Sequence, residues 1–495
     1  MAMRDPAAVI RSNANIVAIA VLVAMAMALP AAARDPATPT RADTILPGWS
    51  NEKLDAAHWI ARWPDAERVT LDADAVAARN ARLFEVDASV TDLARLPTAM
   101  TADDVRARVS RLSTLPTAPR WFADGRLVAE ADRQRWVAAV NLAALDPAPA
   151  DDAAEPAAGA RTLGWALVTQ RAPLRTFPTL ERVFSAPGET DLDRFQESAV
   201  FPGTPVAVLH ASADGRWRFV IGATYAAWIP EGALAHTGRD TALGFAARAT
   251  RVVLEPVARL AHTPEAPAVS NLALDMGVAL PERRDWPLTE AVNGQGALAS
   301  HVVEVPTRGA DGGLLMANAL LPRNEASHDG PLPASRANVL RQAFRFLGER
   351  YGWGHDYGSR DCSGFVSEVY RSVGLVLPRN TRDQAVSPGF ATHTPVTADW
   401  TRAQRRAAVD ALQPGDLIYI PGHVVMVVGF DEHGPWVIHD AHGGRARGAD
   451  GVDRPLPING VALTPLLPLR FDATRDYLDA ITHLQRVLPA DHATP

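Results

Sequence analysis

Cys362 is the residue of this chain best suited to chemistry, because it is the single cysteine among 495 residues and an ionised thiol is a strong nucleophile. A single cysteine cannot form an internal disulfide, and it is too little for a structural zinc site. It stands between a glycine-rich turn and an apolar stretch with helical spacing, so it would begin a helix. The helix dipole and unpaired backbone N–H groups favour the thiolate there, so we expect a thiol pKa below its ordinary ~8.5. The alternative is a small buried apolar side chain.

A cysteine nucleophile needs a base that takes its proton and later protonates the leaving amine. Of the fourteen histidines, His423 opens the apolar run 424–428, and His439 ends the next run, 436–438. If these runs are adjacent antiparallel strands, both imidazoles come to one side, and the second can orient the first. A lone histidine on a strand is also common as a packing residue, so position alone leaves both interpretations open.

The elements that must position these side chains change from helix to strand along the chain. Ser335 can cap a helix that runs to about Arg350, because apolar residues recur there at helical spacing. A second helical face follows Cys362 and ends at Gly374. Strands are predicted over 416–420, 423–428 and 436–439. Helices first and strands later predict an α+β domain over residues 335–490, with the cysteine helix packed on an antiparallel sheet.

Two β-rich segments precede this domain. Short β-type runs separated by turn signals are typical of a small barrel, and they occur at 165–168, 206–209, 217–221 and 227–229. Their order, with the end strand Tyr225-Ala226-Ala227-Trp228-Ile229, resembles a bacterial SH3 domain over 161–238. Weaker runs at 251–254, 257–260 and 301–305 predict a second barrel of the same kind over 239–325.

The N-terminal part has the pattern of a secretory signal peptide. Arg4 and Arg11 precede an apolar run from Ile16 to Leu29, and small residues follow. We expect cleavage after Ala33 and a periplasmic or secreted protein, with an uncleaved membrane anchor as the alternative. Residues 34–145 are predicted to be a helical domain without assignable chemistry. Residues 146–160, rich in Pro, Ala and Asp, are predicted to be a linker.

The composition limits the kinds of partner that the protein can bind. The chain has 49 basic and 56 acidic residues and a net charge of −7, so there is no basic excess to attract nucleic acid. His439-Asp440-Ala441-His442 contains metal-ligand types, but no second cluster stands at zinc-site spacing, so we expect neither a metal nor another cofactor. We expect a monomer without a stable membrane span after signal cleavage.

Several motifs occur in a fixed order in the last third of the chain. They are Tyr351-Gly352-Trp353-Gly354, Arg360-Asp361-Cys362-Ser363-Gly364-Phe365, Leu377-Pro378-Arg379-Asn380, Gln413-Pro414-Gly415-Asp416-Leu417, and Gly422-His423-Val424 with Ile438-His439. Together they resemble the NlpC-type cell-wall cysteine peptidase family, which has a papain-like core. The resemblance covers about residues 335–470, and the barrels resemble the SH3 domains of multidomain members. It implies a multidomain chain with a helical N-terminal region, two small SH3-like β-barrels and a C-terminal α+β papain-like catalytic domain.

The resemblance also implies roles. Cys362 would be the nucleophile, His423 the general base and acid, and His439 the residue that orients His423. The reaction would be hydrolysis of peptidoglycan stem peptides between γ-D-glutamate and a diamino acid, usually meso-diaminopimelate, through an acyl-enzyme. Residues flanking the nucleophile bind substrate in relatives, which points to Asp361 and Ser363. The backbone N–H of Cys362 is a candidate oxyanion donor.

Three further residues are candidates for substrate binding. Tyr351 either adds a hydroxyl near the thiol or only packs the turn. Tyr225 matches the place from which the first barrel of relatives presents an aromatic hydroxyl, unless its ring belongs to the barrel alone. Asn380 stands where relatives that require a free L-Ala amino terminus often carry an acid. An amide is a weaker partner for an ammonium, and Asp383 or Asp361 is a candidate replacement.

Two other functions fit parts of the pattern. A Cys/His/His acyltransferase or thioesterase would share the nucleophile and the acyl-enzyme, but it would need an apolar acyl tunnel. A non-catalytic wall-binding protein would carry a similar fold, but such proteins normally lack members of the triad, and all three residues are present here. Both remain alternatives to the peptidase.

Overall fold

The computed structural model describes residues 46–146 and 160–490. The predicted signal segment and its cleavage point, and nearly all of the predicted linker, lie outside these residues. Within the two described ranges, no helix is long and apolar enough to cross a membrane.

The N-terminal segment consists of short helices that pack on other parts of the chain. Its helices are α1 Ala56–Ile60, α2 Ala73–Val86, α3 Ala102–Leu112 and α4 Glu130–Val140, with 3-10 turns at Asn51–Leu54, Leu93–Arg95 and Leu142–Leu145 and strands β1 Val69–Leu71 and β2 Ala99–Thr101. Trp59 packs in the core beneath the cysteine helix, whereas Trp136 packs in the barrel core. The α2 helix buries only Leu83. The segment therefore contributes to two cores and does not enclose one of its own.

The first β-rich segment is a seven-stranded antiparallel sheet. Its elements are β4 Gly164–Val168, β5 Ala172–Arg175, β6 Gln196–Val200, β7 Pro205–Ala211, β8 Trp217–Ile221, β9 Ala226–Pro230 and β10 Leu234–Thr237, with a 3-10 turn at Glu231–Ala233, and β3 Ala160–Thr162 pairs with β2. The strand order is β10-β4-β7-β8-β9-β5-β6. The four predicted runs are strands. The sequence pattern misses β6, whose Gln196, Glu197 and Ser198 are polar.

The second β-rich segment differs from the predicted second barrel. It contains α5 Arg239–Ala247, β11 Arg251–Val253, β12 Val257–Arg259, β13 Ala273–Asp275, β14 Ala279–Leu280, β15 Ala291–Val292, β16 Gln295–Gly296, β17 Ser300–Arg308, β18 Leu314–Pro322 and β19 Ser327–Asp329. These strands form separate ladders, β14-β11-β19, β12-β13, β15-β16 and β17-β18. Most of them span two or three residues, so they do not join into one sheet like that of the first barrel.

The C-terminal segment is the predicted α+β domain. Its helices are α6 Arg336–Phe344, α7 Cys362–Ser372, α8 Thr381–Val386, α9 Arg402–Asp410 and α10 Tyr477–Ala480, with a 3-10 turn at Trp353–Gly358. Its strands are β20 Ala334–Ser335, β21 Thr392–Pro395, β22 Leu417–Ile420, β23 His423–Asp431, β24 Gly434–Ala441, β25 Gly444–Arg447, β26 Asp453–Leu456, β27 Gly460–Pro465, β28 Leu469–Arg470 and β29 His483–Arg486. The main sheet is antiparallel in the order β21-β29-β22-β23-β24-β27.

The packing of this domain follows from the helical spacing of apolar residues in its helices and from their alternation along its strands. Ser335 caps α6 as predicted, but the helix ends at Phe344, and the chain continues in turns to Gly348, whose φ is +82°. Along β23, Val424 and Met426 face the core that holds α7, and the alternate residues face a second core. The α7 helix buries its apolar stripe against this sheet, which brings its first residue to the start of β23.

Candidate active site

Cys362 is the first residue of α7, and Asp361 caps the helix. The Oδ1 atom of Asp361 accepts a hydrogen bond from the N–H of Gly364 at 2.8 Å, and Oδ2 accepts from the N–H of Gly354 at 3.0 Å. A carboxylate at this position satisfies otherwise unpaired N–H groups and complements the helix dipole. The cap therefore fixes the direction in which α7 presents its thiol.

The thiol is buried between α8 and the start of β23. Its Sγ lies 3.5 Å from Oγ1 of Thr381, and the backbone N–H of Val424 also hydrogen-bonds it. Burial raises the pKa of Cys362 to about 12, Asp361 adds to this rise, and the Thr381 and Val424 groups oppose it. The expectation of a lowered thiol pKa is therefore wrong for the free protein, because loss of water around the sulfur outweighs the helix N-terminus.

The two predicted histidines form a hydrogen-bonded pair on neighbouring strands. Nε2 of His423 lies 2.9 Å from Nδ1 of His439, and Nε2 of His439 lies 3.0 Å from Oγ1 of Thr464. Met426 of β23 pairs with Ile438 of β24, which confirms the predicted antiparallel neighbours. Burial lowers the pKa of His423 to about 4 and, together with His423, lowers that of His439 well below its usual range. Both imidazoles are therefore neutral at pH 7.

Tyr477 lies beside both the thiol and the first imidazole. Its ring centroid is 6.2 Å from that of His423, and its pKa is raised by burial and by the neighbouring Cys362. Together with the Val424 hydrogen bond, this places the thiol and His423 at the same end of β23. The sequence gives no signal for Tyr477, because it lies far along the chain in the short helix α10.

Asp361 and Ser363 are both engaged by Arg379. The guanidinium donates to Oδ2 of Asp361 at 2.8 Å, to its Oδ1 at 3.1 Å, and to Oγ of Ser363 at 2.9 Å. Burial acts to raise the pKa of Asp361, but Arg379 outweighs it and holds the pKa at about 2. The two predicted substrate residues are therefore buried and already hydrogen-bonded, and Asp361 stays ionised.

Tyr351 also lies near the nucleophile. Burial raises its pKa well above the usual range, and the nearby Cys362 and Asp361 add to this. Its ring packs edge-on against His442 with centroids 5.9 Å apart. The imidazole of His442 in turn contacts Asp191, from the long barrel loop between β5 and β6, at 3.3 Å. The structure therefore brings Tyr351 to the site, with a barrel loop behind it.

The barrel also reaches the site from the Arg379 side. The hydroxyl of Tyr225 donates to Oε2 of Glu197 at 2.5 Å. Burial and Glu197 raise the pKa of Tyr225, and the charges of Arg379 and Asp383 also act on it. Asn380 is exposed and donates to Oδ2 of Asp383 at 2.9 Å. Tyr225, Asn380 and Asp383 thus lie together at one end of the site.

Strand β6 is hydrogen-bonded directly to the turn before the nucleophile and to Arg379. Oγ of Ser198 accepts from Nε of Arg379 at 2.7 Å, and Nε2 of Gln196 donates to the carbonyl of Gly354 at 2.8 Å. Gly354 has no room for a side chain, because a Cβ there would lie 2.7 Å from the carbonyl oxygen of Gln196. Sequence reasoning misses this junction, since Gln196, Ser198 and Arg379 look like ordinary surface polar residues.

In the described part of the chain, no group of histidine, cysteine and acidic side chains has the geometry to hold a metal ion. The chemistry available at the site is that of a buried thiol, a paired imidazole and hydrogen-bond donors at a helix N-terminus. These are the parts of a cysteine hydrolase that acts on carbonyl substrates.

Comparison with known proteins agrees with this class. Residues 348–449 match the model of the NlpC/P60 family, and residues 182–230 match that of an SH3 domain of the SH3b1 type. The chain thus contains an NlpC/P60 domain and an SH3 domain. This family indicates a cysteine peptidase that acts on cell-wall material.

Individual relatives cover different parts of the chain. Over 134 residues, 27% of this chain, it is 28% identical to dipeptidyl-peptidase 6 of Lysinibacillus sphaericus, and the match spans 42% of that protein's length. An NlpC/P60 endopeptidase structure from Photobacterium damselae subsp. piscicida superimposes with a TM-score of 0.65 at 16% identity, covering 88% of this chain and 96% of that one. An NlpC/P60 family protein from Bacillus cereus ATCC 10987 superimposes with a TM-score of 0.43 at 21% identity, covering 66% of this chain and all of that one. The Photobacterium structure shows that the fold extends well beyond the catalytic domain.

Proposed function

We propose that this protein is a cysteine endopeptidase that hydrolyses the bond between γ-D-glutamate and a diamino acid, usually meso-diaminopimelate, in peptidoglycan stem peptides. The observation that carries the proposal is the hydrogen bond between His423 and His439 at the start of β23, next to Val424, whose backbone N–H hydrogen-bonds the thiol of Cys362, within an NlpC/P60 domain. Because its substrate is cell-wall peptide, the protein would act in the periplasm or outside the cell.

Acylation begins from the neutral thiol and the neutral imidazole. Nε2 of His423 is occupied by His439, which leaves Nδ1 to take the thiol proton as Sγ attacks the carbonyl carbon of γ-D-glutamate. The negative charge on the carbonyl oxygen is stabilised by the N–H of Cys362, with the hydroxyl of Tyr351 as a second donor. The carbon–nitrogen bond then breaks, and His423 gives its proton to the leaving amine of the diamino acid.

Deacylation reverses the proton path with water. His423 takes a proton from the water that attacks the thioester carbon, the carbon–sulfur bond breaks, and the sulfur regains the proton. Throughout, His439 accepts the N–H of His423 through Nδ1 while its own Nε2–H donates to Thr464. This assignment pairs Nε2 of His423 and both nitrogens of His439, and it fixes the tautomer of each neutral ring.

We propose that the substrate enters with a free L-Ala amino terminus. Asp361 is saturated by Arg379, and Asn380 carries no charge, so neither is a strong partner for an ammonium. Glu197 is a half-buried carboxylate held by Tyr225 at the same end of the site, and it would receive the ammonium. A relative named dipeptidyl-peptidase supports this, since cleavage after γ-D-glutamate would release the dipeptide L-Ala-γ-D-Glu.

The proposal is tested with purified mature protein and mass spectrometry. The substrates are free L-Ala-γ-D-Glu-meso-diaminopimelate and muropeptides in which the same peptide is joined to glycan. We expect release of L-Ala-γ-D-Glu from the free peptide, little product from muropeptides, and no product with Cys362→Ala or His423→Ala.

His393→Ala is a matched control, because His393 is an exposed histidine on the edge strand β21. It should keep wild-type activity. Cleavage of an acyl ester or thioester without cleavage of either peptide would overturn the peptidase and favour the acyltransferase alternative.

A further inference from the structure

His355 occupies an unusual position in the turn before the nucleophile. Its backbone is left-handed, with φ +63° and ψ +27°, and its side chain is only 4% exposed. The left-handed region is unfavourable for residues with a Cβ, and glycine adopts it freely. A glycine here would remove that strain, so the imidazole must make contacts that offset it.

Both ring nitrogens of His355 are used. Nδ1 lies 2.9 Å from Nη2 of Arg379, and Nε2 lies 3.2 Å from Oε1 of Glu368. A guanidinium can only donate, so Nδ1 accepts and Nε2 carries the hydrogen that Glu368 accepts. Burial and Arg379 lower the pKa of His355 well below its usual range, so the ring is neutral.

The ring links two buried groups of charges. On one side, Arg379 pairs with Asp361, the cap of the nucleophile helix. On the other side, Glu368 accepts from Nε of Arg360 at 2.9 Å. A neutral imidazole that accepts on one nitrogen and donates on the other joins the two groups without adding a charge to the interior.

The ring is also held by its packing. A Cβ at Gly364 would lie 2.3 Å from Cε1 of His355, so only glycine fits at this point of α7. The ring of Phe201, from the barrel, meets the imidazole edge-on with centroids 5.8 Å apart. Packing from α7 and the barrel therefore fixes the plane in which the two hydrogen bonds lie.

We propose that His355 is a positioning residue for the peptidase reaction: it holds Arg379 in place, and through Arg379 and Asp361 it sets the geometry of the Cys362 thiol. His355 does not reach the substrate in this scheme. Without the ring, Nη2 of Arg379 loses an acceptor and Glu368 loses a donor. The Asp361 cap is then free to shift, and with it the sulfur's contacts to Thr381 and Val424.

The test compares His355→Gly with His355→Gln in two assays. Glycine suits the left-handed backbone but removes the ring and both of its hydrogen bonds. Glutamine can instead accept a hydrogen bond from Arg379 and donate one to Glu368. We expect His355→Gly to fold and to lower kcat by about ten-fold or more with KM changed less than about two-fold. We expect its Cys362 alkylation by iodoacetamide at pH 8 to slow by about three-fold or more. His355→Gln should recover most of both losses.

Asp65→Gly is the matched control, because exposed Asp65 has a similar left-handed backbone, φ +59°, far from the site in sequence. It should leave kcat and alkylation unchanged. The proposal rests on Cys362 as nucleophile of the proposed peptidase. Alkylation of Cys362 needs no substrate, so it tests whether His355 positions the thiol even if the peptide is not cleaved. Wild-type kcat and alkylation in His355→Gly, or equal losses in the glycine and glutamine variants, would overturn it.

Discussion

Nη2 of Arg360 donates to Oδ2 of Asp275 at 2.9 Å, and both side chains are fully buried. Arg360 stands two residues before the nucleophile, and Asp275 ends β13 in the second β-rich segment. Burial opposes the charge of Arg360, but Glu368 and Asp275 raise its pKa, so it stays ionised. The β-rich segment before the catalytic domain is therefore tied to the cysteine turn by a buried ion pair.

Removing the charge of Asp275 should destabilise the protein strongly. In Asp275→Asn, Arg360 stays buried with less charge compensation, and Arg171, which donates to the same oxygen at 3.0 Å, also loses its negatively charged partner. Breaking a buried pair from one side costs about 3–5 kcal/mol. Urea unfolding followed by tryptophan fluorescence measures the loss.

Asp329→Asn is the control for this prediction. Asp329 pairs with Arg284 at the surface, where the two side chains are 53% and 56% exposed, and surface pairs are worth about 0–1 kcal/mol. A loss in Asp275→Asn no larger than that of the control would contradict a structural role for the buried pair.

Asp440 should be a source of instability at neutral pH. The side chain is fully buried and both carboxyl oxygens lack a hydrogen-bond partner within the protein. Burial raises its pKa well above the usual range, and Asp361 and Glu349 add to this. Below the unfolded pKa of about 3.9 the carboxyl is protonated in both states. At higher pH only the unfolded state ionises freely, so the folded state loses stability as pH rises towards the folded pKa.

Asp440→Asn should therefore raise the thermal midpoint at pH 7 and leave it nearly unchanged at pH 3. Differential scanning calorimetry across this range measures the effect. Asp285→Asn, at a side chain that is 80% exposed, should show no such pH dependence. An equal gain at both pH values would mean that the amide improves packing and that ionisation plays no part.

Much of the catalytic domain is predictable from the sequence because its elements are local. Ser335 with its apolar periodicity, and the apolar runs that start at His423 and end at His439, depend only on neighbouring residues. Strand β6 is different, since Gln196 and Ser198 are polar and buried. Their partners, Gly354 and Arg379, lie more than 150 residues away in the chain. Such pairings exist only after the barrel has docked on the catalytic domain.

The candidate active site also has features that follow from local sequence and features that arise only in the folded protein. The sequence predicts that His423 and His439 come to one side of two adjacent antiparallel strands, and the structure brings the two rings together. The raised pKa of the thiol is not predictable from the sequence. The helix N-terminus that would lower it is a local feature, whereas the burial by α8 and β23 that raises it arises only in the tertiary structure. The role of Arg379 also escapes the sequence, since its contacts with Asp361, Ser363 and His355 converge only in the folded state.

Thr381 should help to ionise the nucleophile. Its hydroxyl lies 3.5 Å from the Cys362 sulfur and lowers the pKa of the thiol, opposing the effect of burial. A hydrogen bond to a charged group is worth about 1.5–3 kcal/mol, so Thr381→Val should slow alkylation by iodoacetamide at pH 8 by about ten-fold or more. Because the wild-type thiol pKa is about 12, the rate in both proteins should still be rising at pH 10. Mass spectrometry of the alkylated protein gives the rates.

Thr392→Val is the control for the thiol measurement, because Thr392 is an exposed threonine on β21. Its alkylation rate should match that of the wild type. A rate profile that levels off near pH 8 in the wild type would contradict a thiol pKa raised by burial.

Glu197 should determine whether the enzyme requires a free amino terminus. If its carboxylate receives the L-Ala ammonium, Glu197→Gln loses a charge-assisted hydrogen bond but keeps the shape of the side chain and an acceptor for Tyr225. The loss of about 1.5–3 kcal/mol should raise KM for L-Ala-γ-D-Glu-meso-diaminopimelate by about ten-fold or more, with kcat less affected. The N-acetylated peptide, which carries no ammonium, should be a poor substrate for the wild type and no worse for the variant.

Comparing KM for the free and the N-acetylated peptide distinguishes loss of ammonium recognition by Glu197 from a general loss of substrate binding. Glu432→Gln, at a side chain that is 80% exposed, should leave both KM values unchanged. If Glu197→Gln weakens the free and acetylated peptides equally, then Glu197 only holds Tyr225 in place. The ammonium would in that case have to be received by Asp383, which already accepts from the neighbouring Asn380 amide, and Asp383→Asn would show the selective rise in KM instead.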